Sequence, residues 1–173
     1  MMDPVTAVKT CFKKYFDFKG RARRSEFWWF ALFVLIVPAA LTYLNAFVPA
    51  MVYVAAVFTC ATYIPLFAAL TRRLHDTGRS GWWVAVLALL YVGYMASAAF
   101  LIGFNIDLLT NNSADVMGMA KTVADAVQAA PGVATVMMAC SFGFLLFFVI
   151  DHIFAIIDSK WGENKYGPSP KYQ

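Results

Sequence analysis

Four apolar stretches, at residues 27–46, 50–70, 82–104 and 133–157, decide what this chain can become. Each is about 20 residues or more, and a helix rising 1.5 Å per residue needs roughly that length to cross ~30 Å of hydrocarbon. The first three carry no charged side chain. A buried helix of a soluble protein can be equally apolar, but a soluble protein must also supply a polar shell. Charged residues make up 14% of this chain, against about a quarter in soluble domains, so no such shell is available. The expected fold is an all-α membrane protein with four transmembrane helices in one domain over 1–173. A cleaved secretory signal is not expected, because 26 residues with a pattern of their own precede the first span and that span exceeds a signal core.

Orientation follows from where the basic residues lie. Thirteen of the fourteen lysines and arginines fall on alternate segments that share one side: the N-terminal segment, the 71–81 connection and the 158–173 tail. Only Lys121, in the 105–132 connection, lies on the other side. The positive-inside rule then places both termini and the 71–81 turn in the cytoplasm and 105–132 outside. Six acidic residues accompany the thirteen basic ones inside, against three with Lys121 outside. A face so charged attracts anionic headgroups at ~1 kcal/mol per basic residue near the surface.

Two passages on the basic side repeat a pattern. Gly20-Arg21, Ser25 and Phe27-Trp28-Trp29 introduce span 1; Gly78-Arg79, Ser80 and Trp82-Trp83 introduce span 3. Glycine turns the chain, arginine offers a two-pronged donor, serine caps the next helix, and the aromatic pair anchors at headgroup depth. The repetition fits two parallel two-helix halves; it also fits the shared needs of any helix leaving the cytoplasm.

Residues 3–18 pattern as an amphipathic helix, N-capped by Asp3 with Pro4 in its first turn and closed by Gly20. Val5, Val8, Cys11, Phe12, Tyr15 and Phe16 share one arc, opposite Lys9, Lys13 and Lys14. Such a face can lie in the headgroup plane, the favoured reading, or dock on the protein's own helices. In the 105–132 connection, Val116, Ala120, Val123 and Val127 at helical spacing suggest a short amphipathic helix on the outer surface.

The candidate rim for anionic lipid or a partner protein comprises Arg21, Arg23, Arg24, Glu26, Trp28, Arg72, Arg73, His75, Asp76, Arg79, Trp82 and Trp83. Two readings compete. In one, Asp76 takes neighbouring arginines and Glu26 takes another, clamping the turn, with Leu74 dipping into the apolar layer. In the other, the arginines form a nest for phosphate. Inside the fourth span, Asp151 and His152 interrupt an apolar run, and intramembrane acids face a partner or a water-filled path. Asp151 either reaches the arginine cluster or serves transport. The three cysteines, Cys11, Cys60 and Cys140, show no ligand spacing and read as buried hydrophobes or free thiols. Metal sites, cofactors and nucleic-acid partners are not expected, and no reaction motif points to an enzyme. Adjacent His75 and Asp76 make a poor acid–base pair without a third group.

The stretches "FDFKGRARRSEFWWF", "LTRRLHDTGRSGWW" and "GENKYGPSP", in that order, resemble the signatures of a family of small bacterial inner-membrane proteins called domain of unknown function 805. The resemblance implies four helices in the inner membrane and transfers no catalytic residue. It marks, among others, Gly20, Arg21, Arg24, Ser25, Glu26, Arg72, Arg73, His75, Asp76, Gly78, Arg79, Asn164, Tyr166 and Gly167. A non-enzymatic, lipid-interacting or accessory protein of a larger membrane complex or homo-oligomer is the expected role. A small oligomeric transporter or channel using Asp151 is the alternative.

Overall fold

The computed structural model describes residues 2–103 except 45 and 49, and residues 121–170 except 122, 123 and 126. The named elements are α1 (Pro4–Lys13), α2 (Arg24–Leu44), α3 (Met51–Asp76), α4 (Trp82–Gly103) and α5 (Pro131–Ile156). All of α2, and most or all of α3, α4 and α5, are long and apolar enough to cross a membrane. Much of their apolar surface stays uncovered, with Leu35, Tyr53, Leu89 and Phe142 exposed; lipid is the solvent that accepts such a surface. The surface helix expected around Val116, Ala120 and Val123 lies for the most part outside the described residues.

The chain divides into two compact units, Met1–Val84 with Ile150–Gln173, and Ala85–Val149. In the second, α4 and α5 meet through small residues: a side chain at Gly93 would meet Cys140 Sγ at 3.0 Å, and one at Gly143 would meet Leu90 at 3.2 Å. Tyr91 and Phe144 complete that contact, ring centroids 5.7 Å apart. Close backbone approach through glycine is how helices associate where no hydrophobic drive exists between them.

The first unit holds nearly all the polar chemistry. Its α1 begins as its sequence dictates, Asp3 accepting from the Thr6 N–H at 2.9 Å with Pro4 next. The helix stops at Lys13, earlier than the expected 18, and Gly20 (φ +78°) turns the segment that follows rather than ending the helix. One face docks on protein. Ala7 and Cys11 are fully buried, and Phe12 meets Phe30 and Phe33 edge-on at 5.5 and 6.1 Å. Val5 and Phe16 on the remaining surface are exposed.

A proline explains one further tie. Pro65 sits inside α3 and has no N–H, which leaves the Ala61 carbonyl without its helical donor. The Tyr15 hydroxyl, arriving from just past α1, donates to that carbonyl. In a hydrocarbon setting an orphaned carbonyl is expensive, so Tyr15 is placed by what Pro65 removes.

The 71–81 segment differs from the expected turn. Helix α3 runs on through Arg72, Arg73, Leu74 and His75 to Asp76. Helices need not end where apolarity ends, and here each polar side chain finds a buried partner that keeps the ladder intact. The stop comes at Gly78 (φ +80°), where the Gly78 N–H reaches the His75 carbonyl and the Arg79 N–H the Leu74 carbonyl. That is the two-bond glycine cap that closes many helices. Ser80 then receives the Trp82 N–H at 3.3 Å. Ser25 does not cap: α2 begins at Arg24, and Ser25 Oγ takes the Met2 N–H instead.

Candidate functional site: a closed basic cap

Where α2 begins and α3 and α5 end, three separated stretches converge: residues 20–27, 71–79 and 155–170. Asp76 is the centre, fully buried. Arg21 Nε donates to its Oδ1 at 2.9 Å, while Arg73 Nη1 and the Ser159 hydroxyl both donate to its Oδ2. Arg73 also closes the end of α5, donating to the Ala155 and Ile157 carbonyls, where the helix dipole favours a cation.

Arg21 uses all its donors. Beyond Asp76 Oδ1 it binds the Asp76 carbonyl and the carbonyls of Lys160, Gly162 and Gly167, at 2.7 to 3.3 Å. Three of these partners belong to the tail, so a single guanidinium folds residues 160–167 onto the cap. The tail is shaped for this by Gly162 (φ +74°) and Gly167 (φ +113°), and by reciprocal backbone bonds between Asn164 and Gly167. Asn164 Nδ2 donates to the His75 carbonyl, and the Tyr166 ring stacks on His75 with centroids 3.7 Å apart and planes 6° from parallel. His75 Nδ1 faces the Gly20 carbonyl at 3.2 Å.

A second buried pair lies beside the first. Arg72 Nη2 meets Glu26 Oε1 at 3.1 Å, and Nη1 takes the Lys14 and Asp17 carbonyls that trail from α1. Cys11 Sγ contacts the Glu26 carbonyl at 4.0 Å. Burial, with the Glu26 carboxylate nearby, pushes the Cys11 thiol up to about 12.

The clamp expected of Asp76 and Glu26 is therefore formed by Arg73 and Arg72, with Arg21 joining it and Arg79 outside it. Asp76 takes Arg73 and Arg21 rather than Arg72 or Arg79, and Glu26 takes Arg72. Leu74 is fully buried, as expected. Arg79, which matches Arg21 in the repeated pattern, lies over the Phe154 ring at 3.7 Å. Arg24 makes a loose pair with Asp158 at 3.7 Å, both side chains about half exposed, and Arg23 is half-buried. Trp82 and Trp28 are exposed, Trp28 leaning on His152 at 5.9 Å; Trp83 packs edge-on against Phe154 at 5.5 Å.

Asp151 is sealed from solvent, yet neither carboxylate oxygen has a hydrogen-bond partner among the described residues. It does not bond the arginine cluster. Ser159 and the glycine carbonyls of the tail were the working parts that sequence reasoning missed. Carbonyl acceptors leave no side-chain trace, although two glycines flanking Asn164 and Tyr166 hinted at an ordered loop.

Two inner membrane proteins are similar to about half of the chain. Inner membrane protein YhaI of Escherichia coli (strain K12) is 36% identical over 89 residues, covering 51% of this chain and 75% of the relative. Inner membrane protein YhaH of the same strain is 31% identical over 93 residues, covering 51% and 77%. No solved structure matches the chain. The family described as "Protein of unknown function (DUF805)" matches residues 15–168, a span that contains every residue of the cap from Arg21 to Gly167, and the chain belongs to it.

Proposed function

We propose that this chain is a non-enzymatic integral protein of the bacterial inner membrane. Both termini and the cap lie in the cytoplasm, and the rim of the cap holds anionic headgroups as an accessory element of a larger membrane assembly. The observation that carries this reading is a division of labour among the cations. Arg21, Arg72 and Arg73 are buried and bonded internally. The exposed surface around them is supplied by Lys9, Lys13, Lys19, Lys160 and Lys165, with Phe16, Trp28, Trp82 and Trp161 exposed alongside. Lysine stems with aromatic rings are the composition that settles at an anionic headgroup layer. Three signature arginines, Arg21, Arg72 and Arg73, thus shape the surface, and the lysines meet the lipid.

Purification from mixed phosphatidylglycerol and phosphatidylethanolamine, followed by mass spectrometry of the retained lipid, tests this. Enrichment of phosphatidylglycerol that disappears on replacing Lys9, Lys13 and Lys19 by Gln supports the reading; no enrichment in the parent protein refutes it. Labelling of a Trp161→Cys variant from the cytoplasmic side alone is expected, and periplasmic labelling would reverse the orientation.

Asp151 favours a second reading, a small oligomeric transporter or channel, because a sealed carboxyl with no hydrogen-bond partner among the described residues is a place where a proton or cation can be held within a span. Proton flux into liposomes, lost on Asp151→Asn, is its expected signature. Equal flux from parent and variant removes it.

A further inference from the structure

Charge in the cap does not balance. Its ion pairs, among the described residues, engage four guanidinium groups, those of Arg21, Arg24, Arg72 and Arg73, with three carboxylates, those of Glu26, Asp76 and Asp158. Arg72 has Glu26 to itself, and Arg24 has Asp158. Arg21 and Arg73 share Asp76, with the Asp158 carboxylate also acting on Arg73 from farther off, so most of the Arg21 fork is answered by neutral dipoles. Arg73 finds those dipoles at the end of α5, which the helix itself supplies. Arg21 finds them in the tail, whose Lys160, Gly162 and Gly167 carbonyls bring no charge to it.

A neutral carbonyl is a weak answer to a buried guanidinium. Hydrogen bonds between ions are roughly twice as strong as neutral ones, and a phosphate oxygen pair matches the guanidinium fork. Much of the tail is nevertheless exposed. Ser159 and Ser169 are its buried residues, while Lys160, Trp161, Gly162, Glu163 and Lys165 are exposed. Its Lys160, Trp161 and Lys165 have the composition that anionic lipid attracts.

We infer that Arg21, with Arg73 beside it, is a phosphate-group site that the C-terminal tail occupies with its own backbone carbonyls, and that a phosphate-bearing ligand displaces the tail. The ligand is a phosphodiester headgroup or a free phosphate. For the headgroup source this rests on the reading that the cap lies at an anionic lipid surface. Displacement frees three Arg21 donors, two on Nη1 and one on Nη2, while its Nε bond to Asp76 keeps the fork in place.

Hydrogen exchange reads the tail directly, since the Lys160 N–H is bonded to the Asp76 carbonyl and the Gly167 N–H to the Asn164 carbonyl. The full chain is measured in phosphatidylcholine nanodiscs, in phosphatidylglycerol nanodiscs, and in detergent with and without inorganic phosphate. A ligand at about ten times its dissociation constant raises the open fraction about tenfold, and exchange at those amides should rise by that factor. Acceleration by phosphatidylglycerol alone assigns the site to headgroups, and acceleration by inorganic phosphate assigns it to the free anion. Equal exchange in every condition overturns the inference. A Gly167→Ala variant keeps every charge of the cap but strains the tail at φ +113°. It should open the tail about tenfold, given the cost of such a conformation, and retain more phosphatidylglycerol or phosphate than the parent. An open tail with unchanged retention overturns the site as well. Phosphatidylglycerol enrichment with an indifferent tail would sink this inference alone and leave the lysine rim standing. Phosphate-driven opening without lipid enrichment would do the reverse.

Discussion

Asp76 and Asp151 are both fully buried aspartates, and the molecule treats them in opposite ways. Asp76 sits at the end of α3 with two guanidinium groups and a serine hydroxyl on its oxygens. Asp151 sits on α5, one helical turn before Ala155, whose carbonyl Arg73 uses, and its own oxygens have no bonded partner among the described residues. A buried charge is tolerated when its hydrogen-bonding capacity is filled; removing one partner then exposes the whole desolvation cost. A buried group with nothing to lose should be nearly free to change. The difference separates residues that hold the fold together from residues available for something else.

The largest effect should therefore come from Asp76→Asn. It leaves Arg21 and Arg73 buried without a carboxylate, and loss of about 3–5 kcal/mol is expected, read as the unfolding midpoint in mild detergent. A loss no greater than that of a surface variant would show that the carbonyls alone suffice. Asp151→Asn is the counterpart. An isosteric change at a carboxyl with no hydrogen-bond partner among the described residues should move stability by less than about 1 kcal/mol, and a loss rivalling that of Asp76→Asn would prove that Asp151 is paired.

The second buried pair sharpens the contrast through Cys11, which lies against Glu26. Its thiol keeps its proton in the folded state up to about 12 but loses it near 9.0 once unfolded. The folded state thus binds a proton that the unfolded state releases, so this contribution is complete below pH 9.0 and fades as pH climbs toward about 12. Unfolding midpoints across that window should fall for the parent more steeply than for Cys11→Ala. The smallest effect belongs to Arg24→Ala, because its pair with Asp158 is long and half exposed. About 0–1 kcal/mol is expected, shrinking further in salt.

The four spans were legible because apolar length is a one-dimensional property. So was the pairing of Glu26 with one of the nearby arginines, since a lone acid at the head of an apolar helix needs a cation. Which arginine it would be was not legible. Arg72 and Arg73 differ by about 100° of helical rotation, which sends one toward α2 and the other toward α5, and hydropathy is silent on rotation. The repeated glycine-arginine pattern misled in a related way. Arg21 and Arg79 occupy matching positions in the text, yet one gathers the tail while the other rests on the Phe154 ring. The end of α3 was misplaced because the charged run from Arg72 to Asp76 looked like a turn, when its side chains were the interior of the cap. Asp151 stood out as an oddity in sequence, but only three dimensions reveal that its oxygens find no hydrogen-bond partner among the described residues.

The bond from Arg21 to the Gly167 carbonyl joins residues 146 positions apart. A ribosome releases Arg21 early and Gly167 only after all four spans have been synthesised, so insertion proceeds with that guanidinium still waiting for its acceptors. Closure of the cap is thus a late step of biogenesis, completed only once Gly167 has left the ribosome.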